Sequence, residues 1–354
     1  MRSLGPRRWQ PLRSWPAMKM KAVTWGSSFN SICAPNHGSC LACATRSSGA
    51  DGTTYYGDEL ATGGAAPGGT PGGAIYKFVP TFPLTDTSPI TDPAMSPFAG
   101  GKVYGLRVGI AGNNGQGAEI GKGRWIAIDA ANPAFLSNGN LALRAAQSAS
   151  RFTGSYRPED MDLDPIAFKH GDVRMCWSNT GRVSNGGGSD VETDAIYGEV
   201  MCLNDDDSAD PAIVTGAIPL VTRFMAGHPQ AEMFNNVAFQ PHTGNLVVLE
   251  DGEVEVAKEG ATELRGNDIW MCLPDGDDDD VQTDGCIRIA SLKDTSSEPT
   301  GFIFTGSGET AFVSIQHRST QVGALMKITG FNVEPHRCGL DRDDDFFHWH
   351  RRNR

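Results

Sequence analysis

A turn-bounded strand pattern, recurring at an interval much longer than a hairpin, constrains the fold of this chain most. Glu159-Asp160-Met161-Asp162-Leu163-Asp164-Pro165 leads through Gly171 into the strand-like run Val173 to Trp177. Asn235-Asn236-Val237-Ala238-Phe239-Gln240-Pro241 leads through Thr243-Gly244 into Asn245 to Leu249. Pro165 and Pro241 are 76 residues apart (241 − 165). A second recurrence pairs Glu199 to Asp207 with Asp268 to Asp275, and Cys202 and Cys272 are 70 residues apart (272 − 202). Gly301 to Ile315 adds a third strand–turn–strand unit. Repeats of this kind suggest the blades of a β-propeller, whose loops meet at one rim. The alternative is a large β-sandwich, in which residues at equivalent points of the repeats need not converge.

The remaining runs fit an all-β fold with long loops and few helices. Thr53 to Glu59, Ala74 to Val79, Lys102 to Val108 and Trp125 to Asp129 read as strands. Leu141 to Arg151 is the one helix the pattern supports. Gly 43 and Pro 21 against 39% hydrophobic residues also favour short strands joined by many turns. Residues 1–22 read as a basic, disordered tail without the apolar core of a secretory signal. Residues 23–318 form the expected domain, and 319–354 a partly disordered extension.

The formal charge of −12 argues against a nucleic-acid partner, because phosphate backbones need a basic footprint. No apolar run is long enough to span a membrane as a helix. A monomer is expected. Acidic composition suits hard cations, which take oxygen ligands. Asp58-Glu59, Glu159, Glu250-Asp251 and Glu298 all stand at loop–strand junctions. Gathered at one rim they would repel unless cations neutralised them. Taken alone, each is a solvated loop end. Arg157-Pro158-Glu159 places an always-charged fork beside a carboxylate on a stiff loop, so the stretch reads as a surface ion pair or as a site for a metal and an anion together.

Other signals are weaker. Cys40-Leu41-Ala42-Cys43 with Cys33 and His37 offers zinc ligands, a disulfide or free thiols. Cys176, Cys202 and Cys272 lie in apolar runs and read as buried small hydrophobes. Asp205-Asp206-Asp207 and Asp277 to Asp280 read as solvated charge runs, and Asp275-Gly276-Asp277 as a fragment of a calcium loop.

In order along the chain, Tyr55-Tyr56-Gly57-Asp58-Glu59, Ile75 to Val79, Tyr104 to Val108, Arg151-Phe152 with Arg157-Pro158-Glu159, Asn235 to Gly252, and Glu298-Pro299-Thr300-Gly301 through Phe312 to His317 resemble the PhoX-type alkaline phosphatases. The resemblance spans roughly residues 53–318. It implies a β-propeller phosphatase that hydrolyses phosphate monoesters, mostly outside the cytoplasm. Its site would hold Fe3+ and Ca2+ ions bridged by carboxylates and an oxo group. Carried over by motif, Glu159 is a metal ligand and Arg157 binds the substrate phosphate, with Asp58, Glu59, Glu250 and Glu298 as further metal ligands. The family's Asn-Cys-Ala-Gly-Gly segment, whose cysteine binds iron, has only Asn30-Ser31-Ile32-Cys33-Ala34 as a counterpart here, which carries Cys33 over as a metal ligand. The family's later His-Glu pair is not seen, and the chain has no room between Ala34 and Tyr55 for the usual intervening blades. The expected fold is therefore a propeller lacking N-terminal blades. Two readings compete with the phosphatase: a calcium-binding propeller without catalysis, and a lactonase-type propeller hydrolase.

Overall fold

A computed structural model describes the backbone of residues 41–45 and residues 52–60, 72–84, 89–109, 120–137, 140–181, 197–205, 211–227, 231–251, 267–274, 285–317, 319 and 323–333. The strand-like runs become antiparallel meanders. β1 (Leu41–Thr45), β2 (Thr54–Asp58), β3 (Ile75–Pro80), β4 (Gly101–Val108) and β5 (Gly121–Ala127) pair in sequence order and form the first blade. A small hairpin of β6 (Leu136–Ser137) and β7 (Asn140–Leu141) and the helix α1 (Leu143–Ser150) follow. The second blade is β8 (Pro158–Leu163), β9 (Val173–Asn179), β10 (Glu199–Asp205) and β11 (Leu220–Ala226), interrupted by the short helices α2 (Pro165–Lys169) and α3 (Pro211–Gly216). The third is β12 (Phe234–Phe239), β13 (Leu246–Glu250), β14 (Asp268–Cys272) and β15 (Ile287–Ser291). The fourth is β16 (Glu298–Phe304), β17 (Thr310–Gln316) and β18 (Ala324–Thr329). The outer edges of the first two blades join where Leu220 and Val221 pair with Lys122 and Gly121, giving one 9-stranded sheet.

Each blade packs face to face on the next, so strand side chains are buried on both faces. In β9, Met175 and Trp177 enter the core shared with the first blade, while Cys176 between them enters the core shared with the third. In β13, Leu246 and Val248 point one way and Val247 and Leu249 the other. The two-residue period of a strand sends alternate side chains to opposite faces, and double burial turns alternation into continuous apolar runs. Each large apolar side chain so enclosed contributes about 1.5–3 kcal/mol.

The inner strands lie side by side and run parallel, bridged by side chains. Asp160 Oδ2 on β8 accepts from Asn236 Nδ2 (2.9 Å) and the backbone N–H of Val237 (3.3 Å), and Asp162 Oδ2 accepts from the N–H of Phe239 (2.8 Å). Between β12 and β16, Asn235 Nδ2 donates to Glu298 Oε1 (2.6 Å) and the N–H of Gly301 to Asn236 Oδ1 (3.1 Å). In both pairs the partners advance together along the chain, as strands around a common axis must. The all-β, propeller-like expectation holds, and the sandwich does not.

Three details depart from the sequence reading. Cys176 and Cys202 are buried but bonded to each other, being directly opposite in the β9–β10 register, and Cys272 is bonded to Cys286. Cysteines facing each other across adjacent strands are close enough for a bridge, which apolar context alone does not reveal. Asp205 is not solvated: its enclosed carboxylate accepts from Lys77 Nζ (2.8 Å), Tyr55 OH (2.7 Å) and Trp125 Nε1 (3.0 Å). The helix starts at Leu143, and Arg151 ends it in a left-handed turn (φ 54°). Cys40, Asp277 to Asp280 and the calcium-loop fragment lie outside the described residues, and of Cys43 only the backbone, in β1, is described.

Candidate active site at the inner-strand rim

Strand register brings one end of every blade to the same rim. The first residue of an inner strand pairs with the last of its neighbour: Leu41 with Asp58, Pro158 with Asn179, Phe234 with Glu250, and Glu298 with Gln316. The residues one step beyond are Glu59, Thr180, Asp251 and His317. Two blades close this corner identically. The N–H of Thr180 donates to Arg157 O (3.1 Å), and that of Asp251 donates to Met233 O (2.6 Å). Arg157 (φ 57°), Met233 (φ 53°) and His317 (φ 52°) are all left-handed there. That conformation costs an L-residue about 1–2 kcal/mol, and the Pro158 ring crowds the helical regions for Arg157 further. Such strain persists only where the surroundings over-determine it. At Gly73 a Cβ would lie 1.5 Å from Asp58 O and 2.8 Å from Pro158 Cδ, so only glycine lets this strand pass behind the corner.

Arg157 is the hub. Its Nε and Nη2 donate to Glu59 Oε1 (3.2 and 3.0 Å), and Nη2 also donates to Asp251 Oδ2 (3.3 Å). Glu159 Oε2 stands 3.6 Å from the same Nη2 and accepts from Thr180 Oγ1 (2.7 Å). Three carboxylates around one guanidinium leave a formal charge of −2 (+1 − 3). Burial raises the Glu159 carboxyl well above its ordinary range, Glu59 and Asp251 raise it further, and Arg157 and the Thr180 hydroxyl oppose the rise. Burial lowers the affinity of Arg157 for its proton, but Glu159, Asp251 and Glu59 together outweigh it and the net shift is upward.

The other junction acids are placed differently. Asp58 forms a two-bond pair with Arg144 (Nε to Oδ2 2.7 Å, Nη2 to Oδ1 2.8 Å). Glu250 accepts from the N–H groups of Glu232 (3.3 Å) and Asp268 (2.9 Å) and from Trp270 Nε1 (2.9 Å). Both are last residues of their strands, one step before Glu59 and Asp251, and a one-residue step moves a side chain to the other face. Glu298 accepts from Asn235 Nδ2 (2.6 Å) and Gln316 Nε2 (2.8 Å), with His317 Nε2 at 3.4 Å. Asn235 Oδ1, buried beside it, has no hydrogen-bond partner among the described residues. Cys33 lies outside the described residues.

The sequence reading noted Asp251 beside Glu250 at a strand end but gave it no ligand role, and it did not single out Thr180. The adjacent Glu250-Asp251 matches Asp58-Glu59 position for position, a parallel that only the strand ends reveal. Among the described residues no group of three or more His, Cys, Asp or Glu side chains stands in ready-made metal-ligand geometry. No described helix is long and apolar enough to cross a membrane.

Residues 47–319 match the family model described as Alkaline phosphatase PhoX. No curated protein and no solved structure matches the chain. With most of its length covered by that model, the chain belongs to the PhoX family of metal-dependent alkaline phosphatases.

Proposed function

We propose that the chain is a calcium-dependent phosphomonoesterase acting at the Arg157–Glu159 rim. The observation that carries this reading is Arg157 itself, strained into a left-handed corner and surrounded by Glu59, Glu159 and Asp251. Its ion pairs are largely enclosed, and the Coulomb gain of enclosed pairs goes mostly to offset their desolvation, which leaves little to repay such strain.

The donors fit a hard cation. All are oxygens, they carry excess negative charge, and the buried Asn235 Oδ1 beside Glu298 is one more oxygen in need of a partner. Glu59, Glu159, Asp251 and Glu298 would hold calcium. The Fe3+ of the family would draw on Cys33. Bound cations supply charge neutralisation and an activated oxygen nucleophile for phosphoryl transfer. Arg157 grips two phosphoryl oxygens through its planar fork. Pro158 fixes the spacing of Arg157 and Glu159, and the Thr180 hydroxyl orients the Glu159 carboxylate.

The two disulfides support residence in an oxidising compartment. Hydrolysis of a chromogenic phosphate monoester tests the catalytic reading. Turnover should require calcium and disappear in Glu159→Gln. Full activity in that variant, or in excess chelator, sinks it. A calcium-induced thermal shift without turnover would instead support a binding module.

A further inference from the structure

The face of the first blade turned away from the second carries charge of one sign at its outer end. Leu106 and Val108 enter the core shared with the second blade, so Arg107 between them points the other way. Arg124 stands directly opposite Arg107 in the β4–β5 register, and Lys122 shares its face by the two-residue period of the strand. Phe152 covers the middle of this face at Gly105, where a Cβ would lie 2.3 Å from its ring. Arg107 is fixed beside the C-terminal end of α1, where a cation is favoured: its Nε donates to Arg151 O (3.3 Å) and its Nη2 to Ser150 O. That contact brings Arg151 alongside. Lys122, Arg124 and Arg151 are exposed, and no ion pair among the described residues involves any of the four cations. Like charges directly opposite on neighbouring strands are destabilising, and an anion relieves the repulsion.

Apolar side chains flank these cations. Ile120, two residues before Lys122, is 54% exposed. Ile218 is 64% exposed and immediately precedes Pro219, whose carbonyl accepts from the N–H of Gly123 (2.7 Å), between Lys122 and Arg124. A dissolved anion would satisfy the cations and leave both isoleucines in water. An anionic bilayer suits both at once, with headgroups for the cations and an acyl boundary for the isoleucines. We propose that this face is a peripheral docking surface for an anionic lipid bilayer, carried by Arg107, Lys122, Arg124 and Arg151 with Ile120 and Ile218. The whole chain carries −12, so such a bilayer repels its other faces and the contact has one orientation. The docking does not depend on the phosphatase reading.

Co-sedimentation of the full-length chain with sucrose-loaded vesicles tests the surface. One set is pure phosphatidylcholine, the other equal parts phosphatidylcholine and phosphatidylglycerol. Partitioning to the anionic set should be at least about tenfold stronger, and high salt should release the protein. Lys122→Glu/Arg124→Glu should abolish binding. Ile218→Ser, which leaves the charge unchanged, should weaken it severalfold. Lys102→Glu/Lys169→Glu makes the same change in net charge at exposed positions elsewhere, Lys102 being on the opposite face of β4, and should bind far better than Lys122→Glu/Arg124→Glu. Thermal melts check that each variant folds, and Lys122→Gln/Arg124→Gln, also expected to lose binding, replaces the glutamate pair if that pair melts early. Equal partitioning to the two vesicle sets, or binding that survives in the Lys122/Arg124 variants, overturns the proposal. Equal loss in the Lys102/Lys169 control reduces the effect to net charge and overturns it too. Retention on immobilised heparin without vesicle binding would mark a soluble polyanion as the partner and overturn the bilayer.

Discussion

Removing the Cys176–Cys202 disulfide should cost about 3.5 kcal/mol. The two cysteines face each other across β9 and β10 and are separated by 26 residues in the chain. Cross-linking a loop of that length restricts the unfolded chain by about 2.1 + 1.5R ln n entropy units, which gives this value at 25 °C. The Cys272–Cys286 bridge, with a separation of 14, gives about 3 kcal/mol by the same relation. Both bridges lie in the core between the second and third blades, with Phe234 and Val248. Their combined loss approaches the whole stability of an ordinary domain, about 5–15 kcal/mol. Urea unfolding of Cys176→Ala/Cys202→Ala and of Cys272→Ala/Cys286→Ala, beside the oxidised and reduced parent, measures the effect. Thiol titration of the unfolded parent establishes its oxidation state. The melting temperature should fall by about 2–4 °C per kcal/mol for a fold of this size. A fully oxidised parent that loses under 1 kcal/mol on either replacement would refute the reasoning.

Three further outcomes are expected. Lys77→Met leaves Asp205 charged and enclosed without its cation, so it should cost about 3–5 kcal/mol, and adding Asp205→Asn should recover part of the loss, as read by chemical denaturation. Burial pushes the Asp162 carboxyl up to about 7, against the N–H groups of Phe239 and Leu163, which pull it down. A folded value above the unfolded one, about 3.9, means that the contribution is full below about pH 4 and lost as pH rises through about 7, with a ceiling of about 4 kcal/mol. Asp162→Asn should therefore flatten the stability profile between pH 4 and 8, and an unchanged slope would count against it. Thr180→Val removes the hydroxyl that orients Glu159 and should weaken calcium binding about 10–100-fold with little change in fold, measured by titration and circular dichroism.

Short apolar runs bounded by glycine and proline are enough to specify strands, because the period of two and the turn chemistry are both local. The recurrence of Glu159–Trp177 in Asn235–Leu249 specifies repeated blades for the same reason. Arg157, Glu159 and Glu59 are likewise legible as a charged set at loop–strand junctions, and the structure brings these three together. Three-dimensional pairing settles what such patterns leave open. Asp251 rather than Glu250 meets Arg157, and Glu59 rather than Asp58, because register alone decides which of two adjacent acids faces the rim. The Cys176–Cys202 bond needs the facing of two strands, and Asp205 escapes the solvent only because Lys77, Tyr55 and Trp125 arrive from another blade. The chain alone thus determines strands, repeats and the acidic character of the rim, since each is written within a few neighbouring residues. Only the tertiary structure decides which carboxylates share one guanidinium, since that depends on contacts between residues as far apart as Glu59 and Asp251.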